Sequence, residues 1–282
     1  MTRAYGLILT DPDPRSARFR MADQVASQPN VRKVWQIAHV LDQGQNGACV
    51  GFGYAAELAA DPHPSDASEA TLTRYAKELW QRARVIDGRP AEPVPPDAGG
   101  TTMLSGAKAC VEAGAWDGYA WANSIEDVRN AVVGSGPVVI GIPWLGSMDW
   151  AAPRNHALRV DRSEKPVYAH CLLVNGYDPA LRLKINGKVR TEAAFLLTNS
   201  WGDDWGNLWY WGKVRRWKWV RKWSRRKRRK VRRRVRRTKR RWKSRSRGQA
   251  WITATDLNWL LGQRGYAETA CIPTGRRPVS ID

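Results

Sequence analysis

The chain has few of the residues that bind metals or form disulfides. Its 282 residues include only four Cys and four His. The cysteines lack both the paired spacing of a zinc site and the density of a disulfide scaffold. No run of about 18 uncharged apolar residues occurs, so we expect no transmembrane segment, and the N-terminus does not resemble a signal peptide. These absences predict a cytoplasmic, reduced protein without a metal site, stabilised by burial.

Acidic residues are missing from one segment. Residues 213–247 contain 23 Lys/Arg and no Asp or Glu, which leaves 24 Lys/Arg against 26 Asp/Glu in the rest of the chain. The formal charge of +21 is therefore a local feature of a nearly neutral protein. The segment lies between the strand-like stretches "WYWGK" and "GQAWIT", which predicts a basic insertion at 213–248 in a surface hairpin.

Three roles for this insertion remain open. It is suited to nucleic acid, because Lys/Arg neutralise phosphates and Trp side chains stack on bases. An anionic membrane surface is the second candidate partner, because several apolar residues fall roughly on one helical stripe. The third is a solvated insertion with little function. The stacking candidates are Trp217, Trp219, Trp223 and Trp242, and the stripe consists of Trp217, Val220, Trp223, Val231, Val235, Thr238 and Trp242.

The pattern along the chain predicts an α+β fold with two lobes. Residues 1–34 are a leader in which "YGLILT" is strand-like. Residues 35–122 are mostly helical, with helices over 48–60 and 67–84 and a third that ends near Gly114. Residues 123–282 are mostly strands, including "GPVVIGIP", "YAHCLLVNGYD" and "AFLLTNSWG". A cleft between two such lobes is the usual place for a ligand.

Four separated residues have the chemistry of a thiol hydrolase. Cys49 follows a Gly-rich loop and opens a helix, where the helix dipole favours the thiolate. His170 lies in an apolar strand and is a candidate base, and Asn199 is a candidate to orient it. Gln43, six residues before Cys49, is a candidate donor to an oxyanion.

Three quoted segments also resemble the papain-like cysteine peptidases. "DQGQNGAC" is similar to that family's loop from the oxyanion glutamine to the nucleophile, "HCLLVNGYD" to its histidine strand, and "NSWGDDWG" to its asparagine turn. The order Gln, Cys, His, Asn also suits the family. The resemblance covers roughly residues 35–212 and 249–270. It implies a helical lobe and an antiparallel, barrel-like lobe with the active site between them.

The resemblance implies a role for each residue of the site. Cys49 would be the nucleophile, His170 the general base and later acid, and Asn199 the group that orients the imidazole. Gln43 and the Cys49 backbone N–H would form the oxyanion hole, and Trp201 would shield the His–Asn pair. The loop residue Gly47 and the turn residue Trp205 complete the predicted site.

The resemblance also implies a peptide or protein substrate and no cofactor. Asn46 stands where many members have a disulfide cysteine, and Val50 replaces the usual Trp. We expect no long inhibitory propeptide, and at most a short plug within the first thirty residues. Two alternatives to a peptidase remain: a non-catalytic protein of this fold that binds nucleic acid through the insertion, and a hydrolase of isopeptide or other amide bonds.

Overall fold

The computed structural model describes residues 5–94, 99–149, 157–185, 188–203, 205, 208–214, 221–224, 229–232, 237–244 and 247–277, with the backbone alone described between 208 and 244. The helices are α1 Cys49–Leu58, α2 Glu69–Ile86, α3 Met103–Glu112, α4 Ile125–Gly134 and α5 Ala254–Gly262. The strands are β1 Lys33–Val34, β2 Trp116–Trp121, β3 Val138–Trp144, β4 Tyr168–Ile185, β5 Lys188–Thr198, β6 Leu208–Val214, β7 Arg221–Ser224, β8 Arg229–Arg232, β9 Arg237–Ser244, β10 Gln249–Thr253 and β11 Ala270–Arg276.

One antiparallel sheet organises the molecule. Its strand order is β10-β5-β4-β3-β11-β2, and β1 pairs with β4. In the centre of the sheet, Ile142 of β3 lies opposite His170 of β4, and Leu173 of β4 lies opposite Thr198 of β5. Asn199 follows directly after the end of β5. This register therefore brings the histidine and the asparagine of the sequence motifs to the same region of the sheet.

Alternation along the central strands produces two apolar clusters. Successive strand side chains point to opposite faces. Val139 of β3 and Cys171 of β4 belong to the cluster that contains α1, α2 and α3, whereas Ile140 and Leu172 belong to the cluster that contains α4 and α5. The molecule thus has helices on both faces of its sheet, with a separate core on each side.

Helix α1 is buried on every side, as its uncharged sequence "CVGFGYAA" requires. Glycines allow its close packing: a Cβ at Gly51 would lie 2.2 Å from the Ala76 carbonyl oxygen of α2, and one at Gly53 would lie 2.6 Å from the Cys171 sulfur of β4. Because Cys171 follows His170, this contact packs α1 closely against the histidine strand.

The capping of α1 differs from that of the other four helices. Ser68, Thr102, Ser124 and Thr253 each accept a hydrogen bond from the backbone amide three residues further on, at the start of α2, α3, α4 and α5. The residue before α1 is Ala48, which offers no side-chain acceptor. The first amides of α1 are consequently not neutralised by a cap, which favours an anion at Cys49.

The basic insertion is strand in its described parts. β6 pairs with β9 from Trp209↔Trp242 to Val214↔Arg237, and β7 pairs with β8 from Arg221↔Arg232 to Ser224↔Arg229. The hairpin predicted from the sequence is consistent with this pairing. The helical stripe is wrong at its described positions, because extended strands alternate sides every residue. Trp217, Trp219, Val220 and Val235 lie outside the described residues.

The predicted helices and strands mostly agree with the structure. The helices expected from about Gly47, over 67–84 and up to Gly114 correspond to α1, α2 and α3. The stretch "GQAWITATD" is a strand only as far as Thr253, where Thr253 caps α5 and the chain turns into a helix. "YGLILT" forms a single parallel bridge, between Leu7 and Thr101. No described helix is both long and apolar enough to cross a membrane.

Candidate active site

Cys49 is fully buried in the first turn of α1. Burial raises the pKa of its thiol to about 11, although the nearby backbone amides of Cys171 and Gly6 favour the thiolate. The sequence-based expectation of a thiolate favoured by the helix dipole is therefore not met in this conformation. The reason is desolvation, which disfavours the charged form of a buried thiol.

His170 and Asn199 form the pair that the sequence predicts. The Nε2 atom of His170 lies 2.8 Å from Oδ1 of Asn199, and both side chains are buried. Because the amide oxygen is an acceptor, Nε2 donates the proton in this bond. Asn199 is itself held by its backbone amide, which donates to the Gly248 carbonyl oxygen at 3.0 Å. The imidazole is thus fixed in orientation and in tautomer.

Aromatic rings enclose the imidazole of His170. Trp201 stacks on it with a centroid distance of 4.6 Å and an interplanar angle of 28°. Trp144 and Tyr5 approach it edge-on, at 5.1 and 6.0 Å. The predicted shield, Trp201, therefore lies where the sequence places it. Trp205 packs on Trp201 with centroids 6.1 Å apart, and it supports the shield from behind.

Gln43 is fixed in the loop before α1. Its Nε2 donates to the Asn46 carbonyl oxygen at 2.8 Å, and its Oε1 accepts from the Ser200 hydroxyl at 2.6 Å. The backbone amide of Gln43 donates to the Ser200 carbonyl oxygen at 2.9 Å. Since Ser200 follows Asn199, the turn that orients the histidine also positions the candidate oxyanion donor.

Sequence reasoning missed several members of this site. Ser200 was part of the quoted "NSWG" motif but received no role. Trp144 lies at the end of a strand that was recognised only by its apolar composition. Asp149 accepts hydrogen bonds from the Tyr5 hydroxyl at 2.6 Å and from the Trp144 indole at 2.8 Å. No local pattern relates Asp149 to Tyr5, because 144 residues separate them.

The N-terminal segment enters the site. A Cβ at Gly6 would lie 1.7 Å from the carbonyl oxygen of Gly47, the predicted loop residue. Leu7 packs against Gly141 and Met103, because a Cβ at Gly141 would lie 2.7 Å from atoms of both side chains. In the sequence, the strand-like character of "YGLILT" and the expectation of at most a short plug within the first thirty residues are the hints of this placement.

The four cysteines are buried and form no disulfide. Cys49, Cys110, Cys171 and Cys271 are free and fully buried, and burial raises the pKa of each thiol. Within the described part of the chain, no group of three or more His, Cys, Asp or Glu side chains is arranged to hold a metal ion. The chemistry that these residues can perform is therefore that of a thiol, an imidazole and amide donors.

Solved structures of cysteine proteases resemble this chain. Xylellain, a cysteine protease from Xylella fastidiosa, is 13% identical with a TM-score of 0.52, and the match covers 98% of this chain and 99% of xylellain. The fold is papain-like. Bromelain from Ananas comosus in complex with the E64 inhibitor is also 13% identical, with a TM-score of 0.45 over 84% of this chain and 93% of bromelain.

The papain-like fold agrees with the α+β, two-lobed fold class predicted from the sequence. Digestive procathepsin L 3 of Tenebrio molitor larval midgut is 16% identical, with a TM-score of 0.49 over 92% of this chain and 74% of that protein. No protein-family model and no curated protein matches the sequence. At such low identity the similarity establishes the fold alone. The lobe boundaries and the roles of the site residues stay predictions.

Proposed function

We propose that this chain is a cysteine peptidase that hydrolyses peptide bonds through an acyl-enzyme. The observation that carries the proposal is the 2.8 Å bond between His170 Nε2 and Asn199 Oδ1. It leaves Nδ1 as the nitrogen that would exchange a proton with Cys49. We place it in a reducing compartment such as the cytoplasm, in keeping with four cysteines that form no disulfide.

The proposed reaction has two stages. His170 takes the proton of Cys49, whose thiolate attacks the substrate carbonyl, while Gln43 and the backbone amide of Cys49 stabilise the oxyanion. His170 then gives the proton to the leaving amine, and a C–S bond replaces the C–N bond. In the second stage His170 activates water, which releases the carboxylic acid and regenerates the thiol.

An epoxysuccinyl inhibitor and a fluorogenic peptide library test this proposal. They are applied to the full chain and to a Gly6→Ala chain, in which the new Cβ would clash with the carbonyl oxygen of Gly47, two residues before Cys49, and so displace the N-terminal segment from the site. We expect labelling at Cys49, located by mass spectrometry, and peptide hydrolysis in the Gly6→Ala chain. Adding His170→Ala removes both, whereas Cys110→Ala, a matched change at another buried thiol, leaves both intact.

Two outcomes would contradict the peptidase proposal. If Cys49 reacts no faster in the chain that has His170 than in the His170→Ala chain, it is not an activated nucleophile. The chain would then be the non-catalytic protein that binds nucleic acid. If labelling requires His170 but the chain hydrolyses only ubiquitin-like isopeptides or small amides, it is a hydrolase of isopeptide or other amide bonds. Both outcomes are distinguished by the same set of variants.

We propose nucleic acid as a second partner, bound through residues 213–247. The favouring observation is the register of the insertion, which places Arg221 opposite Arg232. Like charges opposite one another destabilise a strand pair, and the segment has no Asp or Glu to neutralise them. A polyanion supplies that neutralisation.

Fluorescence anisotropy with a labelled single-stranded RNA and a DNA of equal length tests this second partner. We expect tight binding at low salt that weakens steeply and linearly on a log–log plot against salt. A chain with residues 215–245 replaced by a short Gly/Ser linker is the control and should not bind. Binding that resists high salt, or binding only to anionic lipid vesicles, would refute the assignment.

A further inference from the structure

The basic insertion begins and ends at the turn that carries Asn199. Trp205, the last described residue before β6, packs on Trp201, whose ring stacks on His170. At the other end, the Gly248 carbonyl oxygen accepts a hydrogen bond of 3.0 Å from the Asn199 amide. Both ends of the insertion are therefore attached to the residues that hold the imidazole in the candidate active site.

The end of the insertion is packed closely against the site. A Cβ at Gly248 would lie 2.9 Å from the Gly202 carbonyl oxygen and 2.5 Å from the Val40 side chain. The Gly202 amide in turn donates to the Leu41 carbonyl oxygen at 3.2 Å. Because Val40 and Leu41 lead directly to Gln43, three segments meet here: the loop of the candidate oxyanion donor, the asparagine turn and the end of the insertion.

Chain length limits how far from the site the hairpin can start. Each residue of fully extended chain spans at most about 3.6 Å. Three residue steps separate Trp205 from Leu208, the first residue of β6, and four steps separate Ser244, the last residue of β9, from Gly248. The paired strands β6 and β9 therefore start within about 11 Å of Trp205 and end within about 14 Å of Gly248. A hairpin with this base arises beside the candidate active site.

Strand β9 contains a row of cationic positions that leads to this base. Five of its eight residues are Lys or Arg, and four of these occupy alternate positions: Arg237, Lys239, Arg241 and Lys243. Alternate positions of a strand lie about 6.8 Å apart. Such a row suits the phosphates of one extended nucleic-acid strand, which would run along β9 towards Gly248.

The charge changes sign at the asparagine turn. Asp42 and Asp203 are exposed there, and a Cβ at Gly202 would lie 3.1 Å from an Asp42 carboxylate oxygen. Arg247, which is also exposed, directly precedes Gly248 and ends the cationic tract. Because like charges repel, phosphates are favoured on the hairpin and disfavoured at the turn. The candidate active site is thereby left to a polypeptide.

We propose that the peptidase acts on polypeptides held by the same nucleic-acid strand that the hairpin binds. This inference rests on both parts of the proposed function, and it names the substrate class. A strand bound along β9 keeps an attached polypeptide next to the site, which raises the local concentration of peptide bonds to about the millimolar range. Binding of the nucleic acid thus lowers the KM of the attached polypeptide without changing the chemical step.

A fluorogenic peptide joined to a single-stranded oligothymidylate tests the substrate class. Hydrolysis is measured at low salt in the Gly6→Ala chain, and compared with the free peptide and with the same peptide on an uncharged morpholino oligomer. We expect the DNA conjugate to have a KM at least tenfold lower than both, with kcat changed less than twofold. High salt or an excess of unlabelled DNA should abolish this gain, because it depends on phosphate contacts.

Two matched sets of substitutions locate the effect. The combined change Lys239→Gln, Arg241→Gln and Lys243→Gln should remove most of the gain of the conjugate over the free peptide. Three exposed cations of α2, changed to Gln together, remove the same charge elsewhere and should leave the gain intact. These control changes are Arg74→Gln, Lys77→Gln and Arg82→Gln.

Photo-crosslinking tests the geometry without catalysis. An oligothymidylate with a diazirine at its 5′ or its 3′ end is bound to the wild-type chain and irradiated, and the adducts are mapped by mass spectrometry. We expect one of the two ends to crosslink within residues 40–46 or 199–203, the two loops that border the site. The chain with residues 215–245 replaced by a Gly/Ser linker should give no adduct there.

The outcomes separate this inference from the proposals on which it rests. Equal KM values for the conjugate and the free peptide, or adducts confined to surfaces away from the two loops, overturn the substrate class, while hydrolysis of the free peptide still supports the peptidase. DNA that does not bind at low salt overturns the nucleic-acid partner and the substrate class together. Adducts at the two loops without hydrolysis of either peptide overturn the peptidase but support the placement of nucleic acid beside the site.

Discussion

The reactivity of Cys49 should depend on pH in a way that burial dictates. Burial raises the pKa of its thiol from 9.0 to about 11, and each pKa unit changes the thiolate fraction about tenfold. At pH 7 the thiolate fraction of the buried Cys49 is therefore about 1 in 10,000, roughly 100-fold below that of an ordinary cysteine. Wild-type Cys49 should accordingly be almost inert at neutral pH.

The assay is the rate of Cys49 alkylation by iodoacetamide between pH 6 and pH 11. We expect the wild-type rate to rise about tenfold per pH unit up to at least pH 10, because only the thiolate reacts. In the Gly6→Ala chain the profile should reach its plateau at lower pH. A wild-type alkylation rate that reaches its plateau at neutral or acidic pH would refute this reasoning, since such a plateau requires a stable thiolate at the buried Cys49.

The same shift has a consequence for stability. A thiol whose pKa is higher in the folded than in the unfolded state favours folding in its protonated form, so stability is lost as pH rises from 9 towards 11. For Cys49 the full loss is about 2.7 kcal/mol. Urea unfolding at pH 8 and pH 10 measures about half of this loss, roughly 1.3 kcal/mol, and Cys49→Ser should reduce the pH dependence by that amount. Unfolding within the pH range of the alkylation assay would expose all four thiols equally. Peptide mapping of the alkylated cysteines checks for it.

Three further substitutions test individual contacts. Asn199→Ala removes the acceptor of the His170 proton and should lower peptide turnover of the Gly6→Ala chain at least tenfold and stability by about 1–3 kcal/mol. Ser200→Ala leaves Gln43 Oε1 without its 2.6 Å donor and should lower turnover with little change in substrate binding, measured as kcat and KM. Glu57→Gln removes the carboxylate 2.7 Å from the Arg276 guanidinium and should lower the free energy of unfolding by about 3 kcal/mol.

Each of these expectations has a control. The exposed pair Arg74–Glu78 is the counterpart of Glu57–Arg276, and Glu78→Gln should change the free energy of unfolding by less than about 0.5 kcal/mol. Combining Glu57→Gln with Arg276→Met should recover most of the lost stability, because no unpaired charge remains buried. If Glu57→Gln alone unfolds like the wild type, the buried pair does not hold the end of α1.

The parts of the fold that were predictable are those encoded by local patterns. The 3.6-residue spacing of Leu72, Tyr75, Ala76 and Leu79 predicted α2, and all four are buried in the structure. The cap of α4 has a local signal of the same kind: Asp127 stands three residues after Ser124, and its amide donates to the Ser124 hydroxyl at 3.1 Å. These features depend on neighbours within one helical turn, so one sequence contains their whole explanation.

The pairings across long sequence distances were only partly predictable. His170 and Asn199 were found because each lies in a recognisable segment. No recognisable segment announces the contact of Tyr5 with Asp149 or the bridge between Leu7 and Thr101, because a single contact leaves no periodic pattern in the sequence. For the insertion, the hairpin prediction is consistent with the pairing of β6 with β9, whereas the alternative of a helical stripe rested on apolar spacing alone.

The state of Cys49 shows why the sequence alone misjudges reactivity. A helix N-terminus stabilises an anion by about 0.3–1 kcal/mol, which is less than one pKa unit at 1.36 kcal/mol per unit. Burial raises the pKa of the thiol from 9.0 to about 11 in this conformation, so desolvation decides the outcome. Admitting water to Cys49 would remove that penalty, and the uncapped end of α1 would then favour the thiolate.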